Sequence, residues 1–473
     1  MDLRSNRFAL GVLVLLHFVL ALAYAFATPY NKQGKYPLSS IDFSRPAFRT
    51  PYPMDDLPRP PRRPIIPDIG APDELEHVDY VQYLVDGHGF PVLDPANPNS
   101  GAGYQSHQPP LFYMIETAIV KLTGQSDLSQ FAWGGFVLRA VNVLVGCSNV
   151  VGVFFLGLWG FGKKEFGLAG AAFVALLPMN LALSGAVSND PLLFSLCTWT
   201  LATAALSCKL GWNLKRGVTL GVLLGLALLT KTTAIALAPA VLIAAYLSGA
   251  PRPPIRVALA AAGIALLLAL PWWIRNQSLY GDPFAMKAFN LAFVNSPTRA
   301  SLGLGWGPYI STVFLLTWNS FIGVFGYMDI PLPTVVSGIF AGVLTIMALG
   351  GFLALRKPEW KEGRPTVVMN ATFICLVVLS YVAFNVRYFQ GQARYLFPAI
   401  GPMGLGFGFG LVYFARERWK LSFVSWIVAL TFFNLWIVTQ YLPDEFNGRR
   451  PDFIPRGGRT ATGFNTAQEL FNV

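Results

Sequence analysis

Long apolar runs separated by short polar stretches dominate the chain, and the period of neither an amphipathic helix nor a half-buried strand describes them. The first run extends from Phe8 to about Phe26 behind Arg4 and Arg7, long enough for a helix to cross roughly 30 Å of hydrocarbon. Its apolar core is longer than that of a cleaved signal, so it reads as an uncleaved first helix. Six basic segments punctuate the apolar runs: Arg4/Arg7, Lys163/Lys164, Lys209/Lys215/Arg216, Arg252/Arg256, Arg356/Lys357/Lys361/Arg364 and Arg416/Arg418/Lys420. Placing all six on the cytoplasmic side demands an even number of crossings between successive segments.

This parity rule settles two doubtful runs. Phe112 to Thr123 is short and carries Glu116 and Lys121, so it becomes an amphipathic helix at the outer surface. Tyr309 to Phe325 becomes re-entrant or interfacial. Spans are then expected at 8–28, 135–160, 167–186, 191–208, 217–230, 232–249, 257–274, 333–355, 366–386, 396–415 and 421–442, about eleven crossings. The least certain pair, 217–230 and 232–249, is better divided by a turn at Lys231 than joined, because a mid-membrane lysine costs at least a few kcal/mol. The expected protein is all-α and polytopic, a transmembrane domain over 1–442 with an extracytoplasmic tail over 443–473. Its N-terminus is expected in the cytoplasm and its bundle in the inner (cytoplasmic) membrane. A large first extracytoplasmic loop spans 28–134, and its proline- and arginine-rich part over 31–70 reads as an extended covering segment.

Composition agrees. Hydrophobic residues make up 54% and charged residues 12% of the chain, and the mean hydropathy is +0.49; soluble domains carry roughly 25% charge. The net charge of +11 sits in short clusters between apolar runs, which argues for positive-inside topology and against a nucleic-acid partner. The four cysteines fall in or at the ends of apolar runs without CxxC spacing, so neither a disulfide framework nor a thiolate metal site is indicated. No phosphate-binding glycine loop or dinucleotide fingerprint appears, which argues against a nucleotide-linked substrate.

The chemistry gathers on the outer side. Pro72-Asp73-Glu74-Leu75-Glu76-His77 reads as a helix start with Asp73 near the N-terminus, where an anion is favoured. Asp73 and His77 are spaced i, i+4 and can face one cavity. His107-Gln108-Pro109-Pro110 reads as a rigid turn delivering a helix at Leu111, and Asn189-Asp190-Pro191 as another helix start. For each acid the plainer reading is a helix cap; the functional reading is a base or a cation ligand, which leaves a divalent cation open as a cofactor. Arg139, Lys231, Arg275, Arg387 and Arg394 stand at outer boundaries. One such residue is usually a snorkelling anchor; five suggest a pocket for an anionic lipid headgroup.

Taken in order, Asp73-Glu74-x-x-His77, His107-Gln108-Pro109-Pro110-Leu111, Ser188-Asn189-Asp190, the run ending Leu229-Thr230-Lys231, Pro271-Trp272-Trp273-Ile274-Arg275-Asn276, Leu279-Tyr280-Gly281-Asp282-Pro283, the run Ser320–Gly326 and Gln392-Ala393-Arg394-Tyr395 resemble the GT-C glycosyltransferases. The resemblance is to the protein O-mannosyltransferases and lipid A aminoarabinose transferases, and most of all to a large bacterial family of GT-C-like membrane proteins. It covers about 70–400. Two features depart from the mannosyltransferases: Phe112-Tyr113 stands where they have Gly-Lys, and their soluble β-rich insert is missing. The resemblance implies transfer of a sugar from a polyprenyl-phosphate donor to a hydroxyl of a glycan, lipid or protein acceptor, on the extracytoplasmic face. It implies Asp73 as general base supported by Glu74, with Arg394, Arg387 and Lys231 stabilising the departing phosphate. His77 and His107 would position substrate, Asp190 would hold a sugar hydroxyl or a cation, and the anomeric centre would invert. A transporter or flippase of lipid-linked glycans, or a non-catalytic assembly protein keeping the fold, are the competing readings. A transporter would show inverted repeats and ionisable residues along a path, and the sequence has neither.

Overall fold

The computed structural model describes residues 3–28, 69–98, 102–126, 128, 133–248, 254–357 and 363–448. The expected covering segment over 31–70, apart from Ile69 and Gly70, and the tail beyond Gly448 lie outside the described residues. The described chain is helical throughout apart from one two-stranded hairpin: α1 (Leu3–Ala27), α2 (Glu74–Val85), α3 (Leu111–Leu122), α4 (Trp133–Phe161), α5 (Lys164–Leu176), α6 (Pro178–Ser184), α7 (Asp190–Leu210), α8 (Leu214–Leu228) and α9 (Leu237–Leu247). There follow α10 (Ile255–Tyr280), α11 (Met286–Ala292), α12 (Trp306–Ile322), the hairpin of β1 (Val324–Phe325) and β2 (Ile330–Pro331), then α13 (Thr334–Leu355), α14 (Arg364–Arg387), α15 (Ile400–Ala415), α16 (Trp419–Trp436) and α17 (Leu442–Gly448). The strands pair antiparallel, Val324 opposite Pro331 and Phe325 opposite Ile330.

Among the described residues seven helical stretches are long and apolar enough to span a membrane, or eight if the bent pair α5–α6 counts as one. The expected eleven is not reached by that measure. α8 has 15 residues and Thr232–Leu247 is also short, while Ala393–Phe446 counts once over 54 residues. That last stretch is far longer than a bilayer and breaks at Arg416, whose φ is 46°. The division at Lys231 is present: its backbone is extended, and the 3₁₀ turn Thr232–Ala236 follows. α3 and α12 also form where the sequence placed non-spanning helices.

Burial sorts the helices into layers. Every residue of α5 from Phe166 to Leu176 is buried, whereas only 22% of the α10, α13 and α14 spans is, so apolar side chains such as Leu267 and Ile339 face outward where lipid replaces water. Small residues let the central helices approach. A Cβ on Gly410 would stand 2.0 Å from the Met347 carbonyl of α13, and one on Gly170 would stand 2.9 Å from the Gly404 carbonyl of α15.

One break in the core governs where the turn before α7 lies. Pro178 has no N–H, and α5 and α6 meet at 67°, which takes the carbonyls of Val174, Ala175 and Leu176 out of the helical ladder. Each receives a side-chain donor: Asn180 Nδ2 at 2.8 Å, His17 Nδ1 at 2.9 Å and Asn434 Nδ2 at 2.9 Å. The Tyr24 hydroxyl then donates to Asn434 Oδ1 at 2.7 Å, joining α1, α5 and α16. An unpaired carbonyl in this setting costs about 1–3 kcal/mol. Asn434→Leu orphans both the Leu176 carbonyl and the Tyr24 hydroxyl, so the detergent-solubilised variant is expected to melt several degrees below the parent; an unchanged melting temperature would refute this account of the kink.

Candidate active site

The kink sends α6 to the turn Gly185–Asn189, which meets the start of α2. Glu74 is the junction. Its carboxylate accepts two parallel bonds from Arg139 (Nε to Oε1, 2.8 Å; Nη2 to Oε2, 2.9 Å) and two backbone N–H groups, Gly70 at 2.7 Å and Val187 at 2.8 Å. Arg139 spends its Nη1 on the carbonyls of Ala25 and Thr28 at 2.6 and 2.9 Å. Glu74 is fully buried, so four groups saturate it and none of its oxygen faces a substrate. Asn142 Nδ2 holds the other side of the turn, donating to Ala186 and Ser188 carbonyls at 2.6 and 3.0 Å.

With Glu74 fixed, its neighbour Asp73 points the other way. Asp73 caps α2 with φ 64°, a left-handed conformation that costs a non-glycine residue on the order of 1–3 kcal/mol. Arg394 stabilises it from 321 positions away: Nη2 donates to Asp73 Oδ2 at 2.5 Å and Nη1 to the Pro72 carbonyl at 3.0 Å. The same Nη1 lies 3.9 Å from Asp190 Oδ2, and Asp190 Oδ1 pairs with Lys231 Nζ. Two carboxylates and two cations thus form a chain Asp73–Arg394–Asp190–Lys231 with no net charge, drawn from the starts of α2 and α7, the 3₁₀ segment Ala393–Ala399 and the α8–α9 corner. Asp190 and Arg394 are buried; Asp73 and Lys231 keep 18% and 17% of their side chains exposed, so these two form the accessible rim.

Burial alone would push the Asp73 carboxyl up, but the Arg394 guanidinium, with smaller help from Lys231, holds it below the usual carboxylate range. Glu76 moves the opposite way, up to about 7, through burial and the negative charge of Asp73. Tyr104, Tyr327 and Tyr395 feel the charge of Asp73, the first two also that of Glu76, and Tyr395 Oη stands 3.4 Å from Arg394 Nη2. A carboxylate and an ammonium at the rim, a buried guanidinium and three phenols that feel the same charge can orient hydroxyl groups and receive a phosphate.

The two histidines are neutral parts of the wall. Burial lowers His77 to about 3, and its Nδ1 is 2.8 Å from the Tyr113 hydroxyl. Tyr113 stacks on Tyr80 with ring centroids 3.7 Å apart, so the Phe112-Tyr113 departure fills with packed aromatics the place where Gly-Lys was expected. Burial lowers His107 to about 4; its Nδ1 donates to the Tyr104 carbonyl at 3.1 Å, and its ring lies against Phe289 at 4.9 Å. The expected turn is present, since α3 begins at Leu111 behind Pro110. The Leu111 N–H donates to the Leu229 carbonyl at 3.0 Å, which ties this turn to the Lys231 corner.

Three of the five basic residues expected to share a pocket do other work. Arg139 holds Glu74. Arg275 donates to the Phe90 and Pro91 carbonyls at 3.2 and 2.7 Å and lies over Trp272. Arg387 ends α14 exposed, its guanidinium over Tyr388, and is not drawn to the acids. The sequence reading missed Tyr104 and Tyr327, whose only local sign was a position next to a turn. Glu76 was visible within one turn of Asp73 but not as the acid with the raised affinity for protons. Among the described residues no three His, Cys, Asp or Glu side chains group as a metal site, and Arg394 lies between Asp73 and Asp190. The donor set therefore does not fit a divalent cation as it stands.

Solved structures share this architecture. AglB, the oligosaccharyltransferase of Archaeoglobus fulgidus, in complex with an inhibitory peptide and a dolichol-phosphate, superposes with a TM-score of 0.54 at 13% identity, covering 94% of this chain and 55% of its own. ArnT from Cupriavidus metallidurans bound to undecaprenyl phosphate superposes with a TM-score of 0.52 at 14% identity, covering 100% of this chain and 75% of its own. The chain thus spans about half the length of the archaeal enzyme, and the likeness is one of fold. No curated protein matches it in sequence. A family model described as "Predicted membrane protein (DUF2142)" matches residues 97–401, which hold His107, Asp190, Lys231 and Arg394. The chain belongs to that family of membrane proteins, and its fold is that of the GT-C glycosyltransferases.

Proposed function

We propose that the protein transfers a sugar from a polyprenyl-phosphate donor to an acceptor hydroxyl at the end of the bundle that carries Asp73 and Arg394. That end would be the extracytoplasmic face of the inner membrane, with the N-terminus in the cytoplasm and the C-terminus outside. The observation that carries this reading is the chain Asp73–Arg394–Asp190–Lys231, in which the Asp73 carboxylate and the Lys231 ammonium form the accessible rim over a buried guanidinium. The fold it has in common with proteins solved with dolichol-phosphate and undecaprenyl phosphate supports the choice of donor.

At rest the four charges neutralise one another. A donor phosphate competes with the carboxylates for Arg394 and Lys231, and Arg presents a bidentate fork to it. As Arg394 turns to the phosphate, Asp73 loses the charge that lowered its proton affinity and becomes a better base. The acceptor oxygen attacks the anomeric carbon as its proton passes to Asp73, and the bond to the phosphate oxygen breaks. The lipid phosphate departs unprotonated, its charge met by Arg394 and Lys231. One in-line displacement inverts the anomeric centre. Asp190 holds Lys231 and Arg394 in register, and Glu74 acts as the anchor of the loop and takes no proton. Arg387 lies outside this set.

Incubating the purified protein with a panel of polyprenyl-phosphate sugars and acceptors is expected to release lipid phosphate from at least one donor. Asp73→Asn should lower that turnover by about 10²–10⁴ and destabilise the fold less than Glu74→Gln, because Asp73 is partly exposed and Asp190 stays beside Arg394. Glu74→Gln should fail differently, losing about 3–5 kcal/mol of stability because Arg139 is left buried without a counter-charge. A fully active Asp73→Asn would remove the base from the scheme.

The pH profile carries a separate signature. Glu76 is neutral below about 7 and anionic above, and its negative charge strengthens Asp73 as a proton acceptor, so turnover should rise through pH 7. Glu76→Gln should flatten that rise. Stability runs the other way: the native state keeps a proton that an ordinary glutamate releases near 4.5, so the contribution of Glu76 is lost as pH climbs from there to about 7. A profile unchanged by Glu76→Gln would exclude this assignment.

A further inference from the structure

The opposite end of the bundle holds a second built cavity that the proposed reaction does not use. α15 starts six residues after Arg394 and ends just before Arg416, so its 16 residues separate the two by about 24 Å of helix. Around Arg416 lies a half-open cleft of about 280 Å3, where the ends of α13 and α15 and the starts of α5 and α16 meet. Its mouth carries Lys163, Lys357 and Arg416, all exposed, against one carboxylate among the described lining residues, that of Glu165. Below them the lining is apolar: Phe166 and Phe409 pack with ring centroids 4.3 Å apart, and Tyr413 and Trp419 flank them. The Lys357 ammonium lies 5.2 Å from the centre of the Tyr413 ring.

Three of the six basic segments of the sequence contribute a cation here, though they are far apart along the chain. Charge spread over a membrane face to fix topology has no need of a shared cavity. Arg416 adds a second observation: its φ is 46° and ψ −121°, a conformation that disfavours a residue with a Cβ, and it turns the chain at the cleft. Positive side chains at the mouth with an aromatic, apolar floor match a molecule with a phosphate at one end and hydrocarbon at the other.

We infer that this cleft binds the phosphate group of an anionic phospholipid in the leaflet opposite the Asp73–Arg394 cluster, with Lys163, Lys357 and Arg416 on the phosphate and the first acyl carbons against Phe166 and Phe409. The site is independent of the transferase reading. The test is native mass spectrometry of the delipidated full-length protein titrated with phosphatidylglycerol or with phosphatidylcholine. Phosphatidylglycerol should be retained preferentially, and Lys357→Gln with Arg416→Gln should reduce that preference about tenfold or more. Displacement of the lipid by millimolar inorganic phosphate would support the phosphate site and assign it to a soluble phosphate. Equal retention of the two lipids, or an unchanged preference in a double variant with the parent melting temperature, would overturn the inference. Should the double variant fail to fold, quenching of fluorescence by brominated phosphatidylglycerol decides: it should fall in Trp419→Phe, and no difference from the parent would count against the site.

Discussion

A single buried ion pair, Glu74 with Arg139, sets the geometry on which the rest of the candidate site depends. Its value is not the Coulombic attraction alone, since taking two charges out of water costs several kcal/mol per ion. Every hydrogen-bonding position is occupied instead. Glu74 gathers the backbone N–H groups of Gly70 and Val187, and Arg139 gathers the carbonyls at the end of α1. Four segments that would otherwise leave polar groups orphaned in an apolar surround are fixed to one point. The kink at Pro178 delivers one of them, the turn before Asp190, and the three side chains that cap its freed carbonyls make that delivery rigid.

The consequence for chemistry lies in adjacent residues facing opposite ways. Glu74 is consumed by structure, which leaves Asp73 in a left-handed cap and aimed at Arg394. The strain of that cap is offset by the two bonds from one guanidinium. A resting site whose charges cancel can form in a low-dielectric bundle without an uncompensated ion, yet it holds two cations that an arriving phosphate can claim.

Much of the fold was legible because bilayer thickness and charge asymmetry are written directly into apolar runs and basic clusters. The helix starts at Glu74, Leu111 and Asp190 and the break at Lys231 came from proline positions and from the cost of a lysine inside the membrane. The count of spans did not, because α8, α9 and α12 are short and the stretch from Ala393 is bent, and length cannot say whether such pieces cross. At the site, Asp73, Asp190, Lys231 and Arg394 were all singled out by residue type and position, and the fold brings them together. The division of labour was not legible: which arginine meets which acid depends on contacts across more than 300 positions, so Arg387 was given the same role as Arg394 in sequence. Tyr104 and Tyr327 were invisible for the same reason, as tyrosines of no local pattern brought to Asp73 by the fold.

The central claim is that Asp73 and a lipid phosphate compete for Arg394. The direct measurement is equilibrium binding of undecaprenyl phosphate to the parent protein and to Asp73→Asn in the same membrane mimic. Removing the carboxylate charge frees the guanidinium, so the variant should bind the lipid phosphate at least as tightly as the parent while its turnover of donor is greatly reduced. Loss of lipid binding in Asp73→Asn, with the fold intact, would contradict the account.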